Sequence, residues 1–309
     1  MTYTLEKRSV MSTDGIHELK TLIYRPSGEI KGIFQIAHGM QEYIGRYDKF
    51  MSFMAENGWL CFGHDHLGHG ETGKAAGEFG YFAHKDGWSY VVNDVHKAAE
   101  EVRAEFPDKK IVLMGHSMGS FIVRLTAARF GGFYDALIIM GTGGPNPASG
   151  LGIALASMIS GVKGERHISN TIENMAFGTY CKRCKDEAPL GWLTRREDVR
   201  QKYAADPFCS YHFTVSALKD LVIMNKKSNE NPWFSEIART NIPIFIVSGS
   251  EDPVGEWSRG VRKVWGKLKK AGVRDLELKL YDGARHEILN DLCADEVSSD
   301  ILSWSEKRL

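Results

Sequence analysis

Residues 111–119 read Ile-Val-Leu-Met-Gly-His-Ser-Met-Gly, a pattern that predicts a buried strand followed by a sharp turn into a helix. Its first part, Ile111–Met114, is an apolar run typical of a buried strand, and the helix-like segment Phe121–Phe130 follows. Glycines two positions before and two positions after Ser117 allow the chain to turn sharply from a strand into a helix. The serine oxygen is then lifted above the edge of a sheet, where it can act as a nucleophile. The residues of this predicted turn are Gly115, His116, Ser117, Met118 and Gly119.

Composition and charge exclude several classes of protein. The chain has 39 Lys plus Arg and 39 Asp plus Glu, so its formal net charge of zero gives no sign of a nucleic-acid partner. Residues 1–10 are polar and charged and lack the apolar stretch of a secretory signal. The best candidate for a membrane span, Leu151–Val162, has about twelve residues and is too short. The odd number of cysteines, five, indicates free thiols, and we expect a cytoplasmic protein.

Short apolar runs alternate with helix-like segments along most of the chain. This alternation is typical of a mostly parallel sheet with helices on both faces, the α/β class. The sheet strands are predicted at Gly32–Ala37, Trp59–Gly63, Ile111–Met114, Ala136–Met140, Ile244–Ser248 and Leu276–Leu280. An antiparallel hairpin is predicted before them, with strands at Tyr3–Arg8 and Glu18–Tyr24. The helices between strands are predicted at Tyr47–Asn57, Gly87–Glu105 and Phe121–Phe130.

One long segment interrupts this alternation. It follows the loop-forming cluster Gly143–Pro147 and has no clear strand as far as Ile237. Helices are predicted within it at Leu151–Val162, Asn170–Phe177, Arg195–Ala204 and Thr214–Met224. We therefore predict a core formed by residues 1–144 and 237–309, and a helical cap inserted at residues 145–236.

Two further side chains with catalytic chemistry come just after predicted strands. Asp252 follows one strand and precedes a proline, and His286 follows the next strand. The carboxyl ends of parallel strands meet at one edge of a sheet, where open α/β sheets build their sites. We predict a triad in which His286 takes the proton of the attacking Ser117 and Asp252 orients the imidazole. Glu251 is the competing acid, and the proline after Asp252 favours Asp252.

A third loop supplies candidate donors for an oxyanion. His38, Gly39 and Met40 directly follow the predicted strand Gly32–Ala37. A tetrahedral intermediate needs hydrogen-bond donors for its oxygen anion, and backbone N–H groups often supply them. The candidates are the amides of Met40, in this loop, and Met118, directly after the nucleophile. On this interpretation His38 is part of the oxyanion loop and is not the general base.

A metal site is the alternative of a different class. His64, His66 and His69 lie close together with Asp65 among them, and two histidines at i and i+2 with a third can bind zinc. His286 could complete such a site in a metal-dependent hydrolase. This hypothesis leaves the turn at Ser117 unexplained.

Two weaker motifs are interpreted without a cofactor. Residues 68–73 have the Gly-x-Gly-x-x-Gly spacing of dinucleotide-binding proteins, which needs a helix to begin there. The following residues, 74–80, indicate a loop instead. Cys181 and Cys184 have the spacing of a zinc knuckle, but no second pair follows them, and two free thiols are the favoured interpretation.

Together these residues resemble the monoacylglycerol lipase and lysophospholipase branch of the α/β-hydrolase superfamily over nearly the whole chain. Leu67 departs from the family pattern, which often has arginine at that position. The motifs that carry the resemblance are His38–Met40, Asp65–Gly70, Gly115–Gly119, Asp252–Val254 and Gly283–His286, with cap segments Ala176–Tyr180 and Asp206–Cys209.

The resemblance implies a serine carboxylic-ester hydrolase that works through an acyl-enzyme on Ser117, with no cofactor and no metal. It implies an α/β-hydrolase fold, with a mostly parallel eight-stranded sheet flanked by helices and a helical cap. Acylglycerols, and monoacylglycerols first among them, are the implied substrates, with lysophospholipids second. A serine aminopeptidase and a thioesterase remain alternatives because the same fold and triad serve them.

The apolar character of the cap has two interpretations. Leu151, Ile153, Leu155, Met158 and Ile159 lie on one short predicted helix. They either line a pocket for an acyl chain or only anchor the cap to the core. The balanced charge of the cap favours a neutral ester over a lysophospholipid. The expected partners are therefore a small-molecule acyl ester and, through the cap, a transient contact with a membrane surface.

Overall fold

The computed structural model describes residues 3–183 and 190–308, and its centre is one eight-stranded sheet. Five of the strands are buried along their whole length, as expected for strands covered on both faces. The strands are β1 (Tyr3–Met11), β2 (Glu18–Pro26), β3 (Gly32–Ala37), β4 (Trp59–His64), β5 (Ile111–His116), β6 (Ala136–Met140), β7 (Ile244–Gly249) and β8 (Leu276–Tyr281).

The order of the strands is β1-β2-β4-β3-β5-β6-β7-β8. β1 and β2 form an antiparallel hairpin, and β2 pairs antiparallel with β4. Every other neighbouring pair is parallel, from β4 with β3 to β7 with β8. This arrangement confirms the predicted mostly parallel sheet of eight strands. It also places the carboxyl ends of β3, β5, β7 and β8 at one edge.

Within the described residues the chain also forms eleven α helices. They are α1 (Asp48–Glu56), α2 (Gly70–Ala76), α3 (Gly87–Glu105), α4 (Met118–Arg129), α5 (Ser149–Lys163), α6 (Asn170–Phe177), α7 (Glu197–Ala205), α8 (Val215–Ser228), α9 (Asn231–Thr240), α10 (Arg259–Ala271) and α11 (Ala294–Glu306). Short 3-10 turns lie at Ile44–Tyr47, Tyr180–Arg183 and Ile288–Asn290.

The apolar core lies on both faces of the sheet. Side chains alternate along each strand, so that Leu113 of β5 faces one layer and Met114 faces the other. The first layer is closed by α3, α4 and α10, and the second by α1 and α11. Both layers are needed to exclude water from a strand such as β5, which carries the nucleophile turn at its end.

The segment 74–80 was predicted to be a loop, and this prediction is wrong for its first residues. Helix α2 covers Gly70–Ala76 and ends at Gly77, which has a left-handed φ of 68°. The N–H of Glu71 in its first turn donates to Asp65 at 2.8 Å. The acid that caps this helix lies five residues before its first residue, so the sequence shows no local capping signal. Gly68 itself is needed because a Cβ there would lie 2.4 Å from the carbonyl oxygen of Tyr81.

Between β6 and β7 the described chain forms helices α5 to α9 and no strand of the sheet. Helix α5 packs on α8, and α8 and α9 in turn pack on α4 of the core. In the described part of the chain, no helix is long and apolar enough to cross a membrane.

Candidate active site

Ser117 lies in a strained turn between β5 and α4. Its backbone has φ 54° and ψ −119°, a region that non-glycine residues rarely adopt. The two glycines of the turn are required by close packing of backbone. A Cβ at Gly119 would lie 2.1 Å from the carbonyl oxygen of Ala37, and one at Gly115 would lie 2.2 Å from that of Gly119. The geometry is that of a nucleophile turn at the carboxyl end of a strand.

Asp252 and His286 are in direct contact and are both buried. Nδ1 of His286 lies 3.0 Å from Oδ2 of Asp252, and their exposed fractions are 2% and 0%. The other carboxylate oxygen of Asp252 accepts the N–H of Val254 at 2.9 Å, which fixes the side chain. Of the two candidate acids, the structure therefore brings Asp252 to the histidine, while the backbone of Glu251 bonds to Ala284.

The loops after β5, β6 and β8 meet at one edge of the sheet. The N–H of Ser117 donates to Met140 at 3.0 Å, at the end of β6. A Cβ on the next residue, Gly141, would lie 3.3 Å from Cε1 of His286. The ring of His116, directly before the serine, lies 4.6 Å from the ring of His286 between centroids. His286 and Asp252 are therefore in contact, and His116 and Met140 bring the turn of Ser117 to the same edge of the sheet.

The loop after β3 lies against Ser117. A Cβ at Gly39 would lie 3.0 Å from Cβ of Ser117, so glycine allows this loop to approach the serine closely. Met40 is half-buried beside it. Met118 is the first residue of α4, where backbone N–H groups have no partner within the helix and the helix dipole favours negative charge. The Met40 and Met118 amides thus belong to the two segments that flank the serine oxygen.

Glu42 connects this loop to the residue before the nucleophile. Its buried carboxylate accepts the N–H of Gly39, the hydroxyl of Tyr47 at 2.9 Å and Nδ1 of His116 at 3.0 Å. Arg46 adds an ion pair at 3.1 Å. Burial raises the pKa of Glu42, but the bond from His116 and the charges of His116 and Arg46 outweigh it and hold the pKa well below its usual range.

His116 continues the connection to His286. Burial lowers the pKa of His116, but the hydrogen bond and the charge of Glu42 outweigh burial and raise it. In its protonated form the ring donates from Nδ1 to Glu42 and from Nε2 to the backbone oxygen of His286 at 3.2 Å. A single buried chain of hydrogen bonds therefore joins the Gly39 loop, the nucleophile turn and the loop of His286.

We expect Glu42→Gln to lower kcat/KM on an ester substrate by about 10- to 100-fold. The neutral amide no longer stabilises a protonated His116, and the Gly39 loop and the His286 loop lose their common support. Steady-state kinetics checks this result, with Glu56→Gln, an exposed residue of α1, as the matched control. An unchanged kcat/KM in a folded Glu42→Gln protein would show that the chain of bonds has no catalytic role.

Four histidines form a buried cluster behind the Gly39 loop. The rings of His38 and His66 lie 4.1 Å apart and those of His64 and His66 lie 5.0 Å apart. Nε2 of His38 accepts the N–H of His66 at 3.1 Å, and Nδ1 of His69 contacts the backbone oxygen of Leu67 at 2.9 Å. Burial lowers the pKa of His38 to about 3 and those of His64 and His69 to about 4. The cluster is therefore neutral at pH 7.

The metal-site alternative gains no support from this arrangement. Across residues 3–183 and 190–308, no group of three His, Cys, Asp or Glu side chains is placed to hold a metal ion. His286, proposed as a further ligand, bonds to Asp252 instead. Cys181 is a half-buried free thiol, while Cys184 lies outside the described residues.

We expect the neutral histidines to make the fold sensitive to acid. Their folded pKa values lie below the ordinary 6.5, so the unfolded chain binds protons between pH 6.5 and about 4 that the folded chain does not. The contribution of these neutral histidines to the free energy of unfolding is complete above pH 6.5. It is lost as pH falls through about 4. His64 is fully buried. Replacing it with Met should reduce the loss of unfolding free energy between pH 6.5 and pH 4 by about 1.4 kcal/mol per pH unit.

Urea unfolding of the wild type and the His64→Met variant at pH 7 and pH 4.5 measures this difference. Comparing the two proteins cancels the opposite effect of buried carboxyl groups such as Asp65, whose pKa burial raises to about 7. Equal pH dependence in the two proteins would contradict the assignment.

Sequence reasoning missed two parts of the site. Glu42 follows the predicted oxyanion loop by two residues, and its charge next to that loop was the available signal. Trp192, from the segment between β6 and β7, places its ring 5.2 Å from the ring of His286. No local pattern marks this tryptophan, because its partner lies far away in the chain.

Comparison with known proteins identifies the family of this chain. Residues 28–293 match the family described as serine aminopeptidase, S33. Monoglyceride lipase of Mus musculus is 25% identical over 295 residues, covering 93% of this chain and 86% of the mouse protein. Monoacylglycerol lipase of Mycolicibacterium smegmatis is 25% identical over 285 residues, covering 91% and 90%. A thermostable carboxyl esterase from Bacillus coagulans, solved in complex with glycerol, superimposes with a TM-score of 0.93 at 28% identity over 99% of both chains.

The matches extend from the strand before the Gly39 loop to beyond His286, so they include every segment of the candidate site. The sheet order and the turn at Ser117 agree with the same assignment. The chain is a hydrolase that belongs to the serine aminopeptidase S33 family of α/β-hydrolases, within its monoacylglycerol lipase-like branch.

Proposed function

We propose that this protein is a serine carboxylic-ester hydrolase that cleaves acylglycerols, most favourably monoacylglycerols. The observation that carries the proposal is the strained turn of Ser117 beside a buried His286 that contacts Asp252 at 3.0 Å. A serine held in this conformation at a sheet edge, next to a histidine with an acidic partner, has the parts of an acyl-transfer site.

The proposed reaction has two halves. Ser117 attacks the ester carbonyl while Nε2 of His286 takes the hydroxyl proton, and Asp252 stabilises the imidazolium through Nδ1. The N–H groups of Met40 and Met118 bind the oxygen anion of the tetrahedral intermediate. His286 then gives its proton to the leaving alcohol, and the acyl group remains on Ser117. In the second half His286 activates a water that hydrolyses the acyl-enzyme.

A cap at residues 145–236 is part of this proposal. Helix α9 begins before the proposed boundary at 236 and ends after it, so it anchors the cap to the core. On α5, Leu155 and Ile159 pack against the core, whereas Leu151 and Met158 are 72% and 61% exposed. The inner residues support the anchoring interpretation, and the outer ones support a transient contact with a lipid surface.

A neutral acylglycerol is favoured over a peptide. An aminopeptidase needs a free carboxylate that grips the α-amine of its substrate. In the described part of the chain, the buried carboxylates of Glu42, which bonds to His116, and Glu287, which follows His286, are both paired with Arg46, the second by two bonds of 2.6 and 2.7 Å. The curated relatives reported above are named as acylglycerol lipases, which supports the same choice.

We also propose a reducing, cytoplasmic location, supported by the free thiols of Cys61 and Cys209.

Labelling with a fluorophosphonate, followed by assays on p-nitrophenyl esters of about two to sixteen carbons, tests the proposal. We expect labelling at Ser117 and a maximum of kcat/KM at about eight carbons or more, because each buried methylene adds about 0.8 kcal/mol. Monoacylglycerols, lysophospholipids, thioesters and aminoacyl amides are then compared directly. Labelling with activity on only the shortest esters would point to a small-ester hydrolase or a peptidase. Absence of labelling would refute the serine mechanism.

A further inference from the structure

A segment between β6 and β7 lies along the loop that carries His286. We call residues 190–195 the strap. Five of the six residues of the strap make a hydrogen bond to residues 285–291. These contacts are Arg285 Nη1 to Gly191 O, His286 N to Trp192 O at 3.3 Å, Glu287 N to Leu193 O at 2.7 Å, Thr194 Oγ1 to Asn290 O at 3.0 Å, and Arg195 Nε to Asp291 Oδ1 at 2.9 Å.

Within the strap, Trp192 contacts the catalytic imidazole itself. Its ring centroid lies 5.2 Å from that of His286, with 39° between the planes. Tyr180 packs on the same indole, 5.2 Å away and at 64°, and holds it from the cap side. The imidazole also contacts the ring of His116 at 4.6 Å. His286 is thus restrained by two aromatic contacts as well as by its bond to Asp252.

We propose that Trp192 is a positioning residue for His286, and that the strap couples the cap to the assembly of the triad. The proposal rests on the serine mechanism above. In that mechanism Nε2 of His286 must face first the hydroxyl of Ser117 and then the leaving oxygen, with the ring turning little between them. A flat indole against the imidazole limits rotation about the side-chain bonds while leaving Nε2 free. Packing of aromatic rings supplies this restraint without taking a hydrogen bond from the catalytic nitrogen.

The position of the contact separates this role from a role in substrate binding. A tryptophan that only lined the acyl pocket would affect KM and the preference for long chains. A tryptophan that orients the base affects the rate of proton transfer with every substrate, including short esters that do not fill the cap. The effect should therefore appear in kcat, in the rate of fluorophosphonate labelling, and in the hydrogen bond between His286 and Asp252.

The test compares Trp192→Leu, Trp192→Phe and Trp192→Ala on p-nitrophenyl butyrate. Leucine fills part of the volume without an aromatic ring, and phenylalanine restores a ring. We expect the leucine and alanine variants to lose about five- to tenfold in kcat and in labelling rate, with KM within about twofold of the wild type. Phenylalanine should recover most of the rate. The downfield proton NMR signal of His286 Nδ1 should broaden in the leucine variant and sharpen again in the phenylalanine variant.

Trp265→Ala is the matched control, since Trp265 is a partly buried tryptophan on α10 of the core. If the alanine variant of Trp192 does not fold, the leucine and phenylalanine pair decides. A leucine variant with wild-type kcat and labelling rate would overturn the proposal, and so would a change confined to KM. Absence of labelling in the wild type would instead refute the proposed function, which keeps the two failures distinct.

Discussion

Replacing Ser117 with alanine is expected to lower kcat on an ester substrate by about 10^5- to 10^6-fold. The hydroxyl is the only atom group removed, and the acyl-enzyme cannot form without it. The proposed donors at Met40 and Met118 remain in this variant, so a residual acceleration of about 10^3-fold over water is expected. KM should change little. The strained backbone at residue 117 costs alanine about as much as serine, so the variant should fold.

Steady-state kinetics at high enzyme concentration measures this loss, and fluorophosphonate labelling of the same sample should disappear. Ser298→Ala on α11 is the matched control, because it removes a hydroxyl that donates to a residue of its own helix, Ala294, at 2.8 Å. Turnover of the Ser117→Ala protein near the wild-type rate would show that another group performs the attack. The His64, His66 and His69 hypothesis would then be tested first, with chelators.

Asp252→Asn is expected to lower kcat by about 10^3- to 10^4-fold. The amide can still accept the N–H of Val254 with its oxygen, so the side chain keeps its place. Its NH2 group then faces Nδ1 of His286 and favours the tautomer that carries the proton on Nε2. That tautomer cannot take the proton of Ser117, and the charge that stabilises the imidazolium is also lost.

Glu251→Gln provides a control of the same chemistry at the neighbouring position, and we expect kcat within about threefold of the wild type. The two variants are compared on one ester across pH 6 to 9, together with their rates of fluorophosphonate labelling. A large loss in Glu251→Gln with a small one in Asp252→Asn would reverse the assignment of the acid. Equal small losses in both would remove the carboxylate from the mechanism.

The sequence was sufficient for those parts of the fold that depend on local patterns. The buried strands could be located from apolar runs, and β3 and β6 have the predicted bounds. The turn at Ser117 could be predicted because the glycines that it needs, Gly115 and Gly119, are each two positions from Ser117 in the chain. Strand ends were less well predicted. β5 continues to His116 because its pairing with β6 continues to Met140, which the apolar run alone does not show.

The parts that could not be predicted depend on contacts between distant residues. Glu42 and His116 lie 74 positions apart, and nothing in either local sequence indicates that one carboxylate supports both loops. The first turn of helix α2 is capped by Asp65, which lies outside the helix and not directly before it. Trp192 and His286 lie 94 positions apart in the chain and meet only in the folded structure. Each of these contacts could be found only in the three-dimensional structure, because neither residue of the pair is distinctive in its own local sequence.

The strap has a consequence for the construction of chimeras between members of this family. Caps are attractive modules to exchange because they are inserted between two strands. Here, however, an exchange of the whole insertion would replace residues 190–195 and their bonds to the loop of His286. One exchange that ends before residue 180 and a second that begins after residue 195 would keep the host's own strap together with Tyr180. A library built in this way varies the other helices of the insertion while the loop of His286 keeps its contacts.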